Sequence, residues 1–489
     1  MCVSRRGFLT GLAASTAVAG LSGCLSTNAA TGRSSFTGFA SLDDDIQLGR
    51  REYPKLVESF GGAYEDRRLQ SRLDAIGRAL ARGTEYPDLP YTFTVLNTPI
   101  VNAMALPGGY IGVTRGLLAL ASNEAELAGV MAHEMGHVTA RHTAERQGRG
   151  MLAQLGILAL GVATGSRAVA GLAAQGATAY LQSYSRDQEL EADSLGVRYM
   201  GRAGYDPEAM ATFLATLREQ SILESRARGL PAGQVDEFNM MASHPRTADR
   251  VRAAAAQAQA GRPADARLDR DAYLALINGL MYGDDPDQGI VDGPHFAHPK
   301  LRFEFTAPPG FRLTNSDSRI VAQRGRDAAI LFDMGRGGGD MAVYLRDRWA
   351  KGVRLESLER ITVNGLPAAA AGTRGRTRSG TVEIRLVAID RGGGSVARFL
   401  FLAPDRAFAD LATDFKRTTY SFRNLSAREA AAIRAKRLIV VRTQAGDTVA
   451  KLAAGLPHGR FNQDWFRMLN DMGAREPLRP GRTVKVVVG

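Results

Sequence analysis

Two histidines four positions apart, in the segment His133-Glu134-Met135-Gly136-His137, are the residues of this chain best suited to do chemistry. Four residues make about one helical turn, so both imidazoles project from one helix face and can bind one Zn²⁺ ion. Glu134 can then reach a water at that metal as a general base. The pattern indicates metal-dependent hydrolysis, whereas the alternative is a polar helix face that holds no metal.

A catalytic zinc ion takes three protein ligands and keeps one position open, so a third ligand must come from another segment. The stretch Ser185 to Gly196 is predicted to be a helix, with Glu189 and Glu191 about 200° apart at ~100° per residue. Asp193 lies one turn beyond Glu189, where it can accept the free N–H of a ligating histidine. Glu189 is the predicted ligand, although the segment alone is typical of a solvated acidic helix.

Together these segments resemble metallopeptidase family 48, the gluzincin-type zinc metalloproteases that include HtpX-like and BepA-like enzymes. The resemblance covers roughly residues 43–260 and includes the stretch Asn102 to Ile111 and the pair His244-Pro245. It implies one Zn²⁺ ion per chain, with His133, His137 and Glu189 as ligands and Glu134 as the catalytic base. Asp193 would contact a ligand rather than the metal itself.

The same resemblance implies roles for residues further from the two-histidine motif. His244 would be a fourth ligand at rest or an aid to the oxyanion, and Arg250 would act near the transition state or only orient helices. A buried structural histidine beside a proline remains the alternative for His244. His142 lies off the predicted ligand face and is interpreted as structural. An edge strand for extended substrate is implied at Asn102, Ala103 and Met104.

Length and composition favour a folded chain of several domains. At ~100 to 200 residues per domain, 489 residues make two to four units. An apolar fraction of 45% and a charged fraction of 23% exclude disordered, collagenous and polytopic-membrane classes. The two cysteines, Cys2 and Cys24, both lie near the start, so no internal disulfide is expected in the body of the chain.

The N-terminus predicts export. Arg5 and Arg6 precede an apolar run, and Leu21-Ser22-Gly23-Cys24 resembles a lipoprotein processing site, so residues 1–23 resemble a twin-arginine-type lipoprotein signal peptide. Cys24 would carry the lipid, and residues 24–41 would form a flexible tether. Leu25 favours the outer over the inner membrane of the cell envelope, facing the periplasm. An ordinary secretory signal with an incidental cysteine is the alternative.

Three domains are predicted, in a multidomain fold. Residues 42–290 would form a mainly α zincin-type metalloprotease domain with a small sheet, and residues 300–425 an α+β domain of unknown role with an antiparallel sheet. Residues 437–489 would form a small βααβ unit. The nearly uncharged segments 151–166 and 168–185 are too short for membrane spans and are predicted to be helices near the active site.

The C-terminal part is basic and suggests a second task. Residues 301–489 carry 33 basic and 18 acidic residues, which favours anionic partners. The segments 446–449 and 478–484, with Asn470, resemble a LysM module, which implies binding to peptidoglycan. A small packing domain without glycan binding is the alternative. The export signal argues against nucleic acid as the partner.

These inferences predict a zinc endopeptidase of the bacterial cell envelope that cuts unfolded or misassembled proteins, which is a role in protein quality control. Its partners would be such substrates, the membrane through the lipid anchor, and peptidoglycan. The competing hypothesis is a cell-wall-binding or chaperone-like scaffold with a dormant zinc site.

Overall fold

The computed structural model describes residues 25–489 except 38–39, 152–183, 228, 230–243, 245–249, 317–318, 326–327, 378–379 and part of 251–261. The predicted signal peptide, Cys24 and most of the two uncharged segments lie outside the described residues. The chain divides into two compact units, one reaching Tyr282 and including Arg437–Val488, the other spanning Gly283–Lys436 with Gly489. The N-terminal region is helical and the C-terminal region is rich in antiparallel sheet, which confirms the predicted multidomain class.

The segment predicted to be a flexible tether forms an antiparallel hairpin of β1 (Leu25–Thr27) and β2 (Ser34–Phe36). Asn28 causes this difference, because its side-chain oxygen accepts hydrogen bonds from the backbone N–H groups of Ala30 and Thr31 and closes the turn. Its side-chain NH₂ donates to the carbonyl of Thr139 at 2.8 Å. The composition is that of a linker, but this side chain fixes the segment to the first unit.

The first unit consists mainly of helices around a three-stranded sheet. The sheet has the order β3-β5-β4, with β5 parallel to β3 and antiparallel to β4. The elements of this part are α1 Leu42–Ser59, α2 Arg67–Ala81, β3 Thr92–Leu96, β4 Ala103–Leu106, β5 Tyr110–Thr114, α3 Arg115–Leu120, α4 Glu124–Thr139, α5 Arg186–Arg202, α6 Glu208–Ala227, α7 Arg270–Ile277 and β6 Met281–Tyr282.

Helix α4 is the centre of this unit, and every residue from Glu124 to Thr139 is buried. Asn123 begins it by accepting a hydrogen bond from the N–H of Glu126. Helix α4 can approach α5 closely because residue 136 is glycine: a Cβ there would lie 2.8 Å from the carbonyl oxygen of Ala192. This contact brings the third predicted ligand up to the two histidines.

The second unit is built on a seven-stranded antiparallel sheet with the order β10-β11-β12-β16-β15-β14-β13, together with a four-stranded sheet with the order β17-β9-β8-β7. A core rich in phenylalanine includes Phe332, Phe399 and Phe415. Its elements are β7 Ile290–Asp292, β8 His295–His298, β9 Phe303–Thr306, β10 Arg312–Ser316, β11 Arg319–Arg324, β12 Ala328–Arg336, α8 Met341–Tyr344, β13 Ser357–Val363, β14 Leu366–Thr377, β15 Gly380–Asp390, β16 Ser395–Pro404, α9 Asp405–Ser421, β17 Arg423–Asn424 and α10 Ala427–Ala432.

The last segment contains β18 Lys436–Arg442, α11 Val449–Leu452, α12 Asn462–Leu469 and β19 Thr483–Val488. Its strand–helix–helix–strand order is the predicted one, but the segment is not a separate body. Strand β18 pairs with β19 on one side and with β6 of the first unit on the other. The buried Lys485 ammonium donates to three backbone carbonyls at the end of α3, those of Ala119, Leu120 and Ala121. These long-range contacts join residues 437–488 to the helical unit.

Within the described residues, no helix combines the length and the apolar character needed to cross a membrane.

Candidate metal centre and active site

Four buried side chains converge at the centre of the first unit. His133 and His137 come from α4, Glu189 comes from the first turns of α5, and His244 joins them. One ligand atom from each of these side chains lies within 4.8 Å of the others. The two Nε2 atoms of the α4 histidines are 3.1 Å apart, and Glu189 oxygens lie 3.5 and 3.6 Å from them. Imidazole nitrogens and a carboxylate are donors that zinc takes in proteins.

The start of α5 determines which of its acidic residues faces the cluster. Ser185 caps the helix and forms a capping box with Gln188, which fixes the helix start one residue before Arg186. The helical repeat then directs Glu189 toward the histidines and Glu191 away from them. The preference for Glu189 over Glu191, made from this repeat alone, agrees with the positions in the structure.

The protonation states in the cluster suit a cation. Burial lowers the pKa of His133, and lowers the pKa of His137 well below its usual range, so both rings keep a lone pair. Burial alone would raise the pKa of Glu189, but the neighbouring His244 ring, followed by His133 and Arg250, lowers it to about 2. Neutral imidazoles and an ionised carboxylate, all withdrawn from water, fit a bound metal ion.

Asp193 lies where the sequence predicts a partner for a ligating histidine. Its Oδ1 is 2.9 Å from Nδ1 of His133, the ring nitrogen that faces away from the cluster. Arg250 donates through Nε and Nη2 to both oxygens of Asp193 at 2.7 Å. The same guanidinium also contacts Glu189 through Nη1. Arg250, fully buried, therefore neutralises two carboxylates and holds both in place.

Glu134 is also buried, and its Oε1 has no hydrogen-bond partner among the residues that the structure describes. The nearest cationic candidate is Nε2 of His244, at 3.6 Å. A buried carboxylate oxygen without a partner is costly, which a water molecule between Glu134 and a metal ion would relieve. This atom is the observation that most directly fits a metal-bound water in the site.

Strand β4 lies at the edge of its sheet and passes the site. Asn102 precedes it and is buried, and Ala103 and Met104 begin it, so the residues proposed to bind substrate lie at a sheet edge. Beside His137, β4 residues and Tyr184 border a narrow space. An extended peptide chain added to β4 would therefore pass close to the ligand cluster.

Several contacts of the site were not predicted. Tyr184 stacks on His137 with ring centroids 4.0 Å apart, and nothing in its sequence context indicates this. His142, interpreted as structural, has its Nδ1 2.8 Å from Nδ1 of His137. Its position depends on Arg141, which has a φ of 55° and turns the chain just after α4 ends. Helical periodicity cannot be extended through such a residue, so no sequence pattern predicts this contact.

This helix with its two histidines and adjacent glutamate, completed by a glutamate from a second helix, defines the site of a zinc-dependent metallopeptidase. Residues 67–258 match the family model of Peptidase family M48. This match confirms the family resemblance predicted from the sequence for that part of the chain, and members of the family depend on zinc.

Characterised relatives agree with this assignment. The beta-barrel assembly-enhancing protease of Escherichia coli (strain K12) is 30% identical over 262 residues, which make up 52% of this chain and 52% of the relative. The protein of the same name from Yersinia pestis is 30% identical over 255 residues, 50% of each chain. Mitochondrial metalloendopeptidase OMA1 of Arabidopsis thaliana is 34% identical over 149 residues, 30% of each chain. The chain spans about half the length of the first two relatives.

Proposed function

We propose that this protein is a zinc-dependent endopeptidase of the bacterial cell envelope that hydrolyses peptide bonds in unfolded or misassembled proteins. The observation that carries the proposal is the buried cluster of His133, His137 and Glu189 with Glu134 beside it. In this assignment the first three side chains hold the metal, and Glu134 is the catalytic base. When bound, zinc would supply Lewis-acid activation of the attacking water and of the scissile carbonyl.

The chain itself supplies the proton transfers. Glu134 accepts the proton of the attacking water through its free Oε1 and then delivers it to the leaving amine nitrogen. Both transfers need a carboxylate that stays close to the reacting atoms without being engaged by a neighbouring donor. Asp193 and Arg250 act through other residues, since Asp193 orients His133 while Arg250 restrains Asp193 and Glu189.

An extended substrate suits this site. Strand β4 offers its backbone at the sheet edge, so a substrate can bind through main-chain hydrogen bonds that depend little on its sequence. A peptide must be unfolded locally to pair in this way. The relatives from Escherichia coli and Yersinia pestis are named for beta-barrel assembly, which supports a similar class of envelope substrate here.

Localisation follows from the N-terminal sequence. We propose that the chain is exported, is anchored through lipid on Cys24, and acts at the periplasmic face of the outer membrane. The βααβ segment at the C-terminus is proposed to contact peptidoglycan through its LysM-like loops. Gly446 and Thr448 in the first of these loops are exposed, as a glycan site requires.

Casein cleavage by the full chain, purified in detergent, tests the activity, with bound zinc measured on the same sample. We expect one zinc ion per chain and slow proteolysis of casein. Glu134→Gln should keep the zinc and reduce cleavage by roughly 10²- to 10⁴-fold, the usual contribution of a general base. Glu58→Gln, the same change at an exposed position in α1, is the matched control and should cleave like the native chain.

The outcomes separate the two functions considered for this chain. Zinc binding with cleavage that disappears only in Glu134→Gln supports the peptidase. A native chain that binds no zinc contradicts the ligand assignment and favours the scaffold. Equal cleavage by the native chain and Glu134→Gln would show that the proteolysis comes from a contaminant or from another site.

A further inference from the structure

The two ring nitrogens of His137 face different surroundings. Its Nε2 points into the ligand cluster, 3.1 Å from Nε2 of His133 and 3.5 Å from Oε1 of Glu189. Its Nδ1 points the other way and lies 2.8 Å from Nδ1 of His142. His142 is fully buried. The second nitrogen of this ligand thus faces another histidine, whereas that of His133 lies 2.9 Å from Oδ1 of Asp193.

The direction of the hydrogen bond follows from the ligand role of His137. A neutral imidazole that binds a metal through Nε2 carries its proton on Nδ1. That proton must be donated to His142 Nδ1, which is therefore unprotonated. The proton of His142 then resides on Nε2, which lies 2.9 Å from Oε2 of Glu191 and donates to it. The requirement for a free lone pair at His137 Nε2 therefore determines which ring nitrogen carries the proton in both His137 and His142.

Glu191 is held at its other side by Arg33. The Arg33 guanidinium donates to Oε2 of Glu191 at 2.8 Å and, through two nitrogens, to both oxygens of Glu145. Gln188 also donates to Glu145, at 2.9 Å. Arg33 therefore joins two carboxylates that would otherwise repel each other, one of which orients His142.

Arg33 belongs to the β1–β2 hairpin, which follows directly after Cys24. This hairpin is attached to the end of α4 through Asn28, whose side chain donates to the carbonyl of Thr139, two residues beyond His137. Arg198 of α5 donates to the Ala30 carbonyl at 3.0 Å. The hairpin is thus attached to both helices that carry predicted ligands.

We propose that His142 is a positioning residue that fixes the orientation and the protonated nitrogen of His137, and that Glu191 and the hairpin residue Arg33 hold His142 in this role. The proposal rests on the proposed function, because it concerns the same metal site. It gives the N-terminal hairpin a task in zinc binding rather than that of a simple linker.

The zinc affinity of the full chain in detergent, measured by competition with a chromophoric chelator, tests this role. His142→Ala removes the acceptor for the His137 N–H, and we expect affinity to fall by about 10- to 100-fold. His142→Gln keeps an acceptor oxygen and a donor NH₂, and should recover part of that loss. The losses in Glu191→Gln and Arg33→Ala should be smaller, because each leaves the His137–His142 hydrogen bond in place.

A control comes from a partly buried histidine elsewhere in the same unit. His458 stacks on Trp465 and lies near Tyr282, outside the ligand cluster. His458→Ala should leave zinc affinity unchanged even where it lowers stability. The visible absorption of the Co²⁺-loaded chain should differ from native in His142→Ala and not in His458→Ala, because only His142 contacts a ligand, His137.

Native zinc affinity in both His142→Ala and His142→Gln would overturn the proposal, as would an equal loss of affinity in His458→Ala. If His142→Ala does not fold, His142→Gln and Arg33→Ala decide, and native affinity in both would overturn it. If the native chain binds zinc and cleaves casein, and the His142, Glu191 and Arg33 variants keep native zinc affinity, only this proposal is contradicted. A native chain that binds no zinc contradicts the proposed function as well.

Discussion

The close contact between α4 and α5 at Gly136 yields a quantitative prediction about the metal site. A Cβ at this position would lie 2.8 Å from the carbonyl oxygen of Ala192 and 3.1 Å from its Cα. Both atoms belong to the backbone, so no side-chain rotation can relieve the clash. In Gly136→Ala, α5 must move by about 0.6 Å to restore an ordinary contact of 3.4 Å.

That displacement acts on a ligand. Ala192 is three residues, less than one helical turn, from Glu189, so movement of α5 carries the carboxylate away from His133 and His137. Functional geometry tolerates about 0.5 Å, and we expect zinc affinity to fall by about tenfold. Overpacking costs about 1–3 kcal/mol, which the better helix propensity of alanine offsets by about 1 kcal/mol, so the net loss of unfolding free energy should be at most about 2 kcal/mol.

Gly129→Ala is the matched control on the same helix. A Cβ at Gly129 would meet its nearest atoms, Met200 Sδ and Met210 Cα, only at 3.3 Å. A small shift can relieve these contacts, and we expect native zinc affinity with a stability within about 1 kcal/mol of the native chain. Chelator competition and urea unfolding measure both quantities. Native zinc affinity in a folded Gly136→Ala would refute the argument that contact at this glycine sets the ligand distances.

Two further predictions concern histidines. His244 Nδ1 lies 2.9 Å from Glu189 Oε1 and 3.3 Å from His133 Nε2. These distances favour His244 as a fourth zinc ligand in the resting state. His244→Ala should therefore keep zinc and raise basal casein cleavage. A large loss of cleavage with zinc retained would instead support a role at the oxyanion. Burial lowers the pKa of His458 from 6.5 to about 4. Between these pH values the unfolded chain takes up a proton that the folded chain does not. The free energy of unfolding should therefore fall by about 3 kcal/mol as the pH drops from 6.5 to 4. His458→Gln should remove this part of the acid sensitivity in urea unfolding at several pH values, and an unchanged pH dependence would contradict the assignment.

The composition of the metal site could be predicted because it is encoded within single helices. The spacing of His133 and His137 and the helical repeat that separates Glu189 from Glu191 are local patterns, and the structure brings together the three side chains chosen from them. Asp193 follows by the same argument. No local signal links His142 to His137, because Arg141 adopts a left-handed conformation and interrupts the helix between them.

The extent of the first unit could not be predicted for a related reason. Residues 24–41 have the composition of a linker and residues 437–489 have their own strand–helix–helix–strand pattern, so each is expected to be independent of the helices between them. Asn28 and Lys485 change this through hydrogen bonds to backbone carbonyls more than 100 residues away. Sequence patterns describe the periodicity of one element, whereas these contacts depend on where two distant elements meet.

Both distant contacts bear on the helix that carries the histidines. Asn28 contacts the Thr139 carbonyl at the end of α4, while Lys485 contacts the carbonyls of Ala119, Leu120 and Ala121 just before α4 begins. Both ends of α4 are therefore restrained by segments that local patterns assign to other domains. The identity of the ligands follows from the sequence of α4 and α5. The accuracy with which those ligands are held depends on Asn28 and Lys485, which lie in the two segments that flank the family domain, and variants at these two positions should affect zinc binding without touching a ligand.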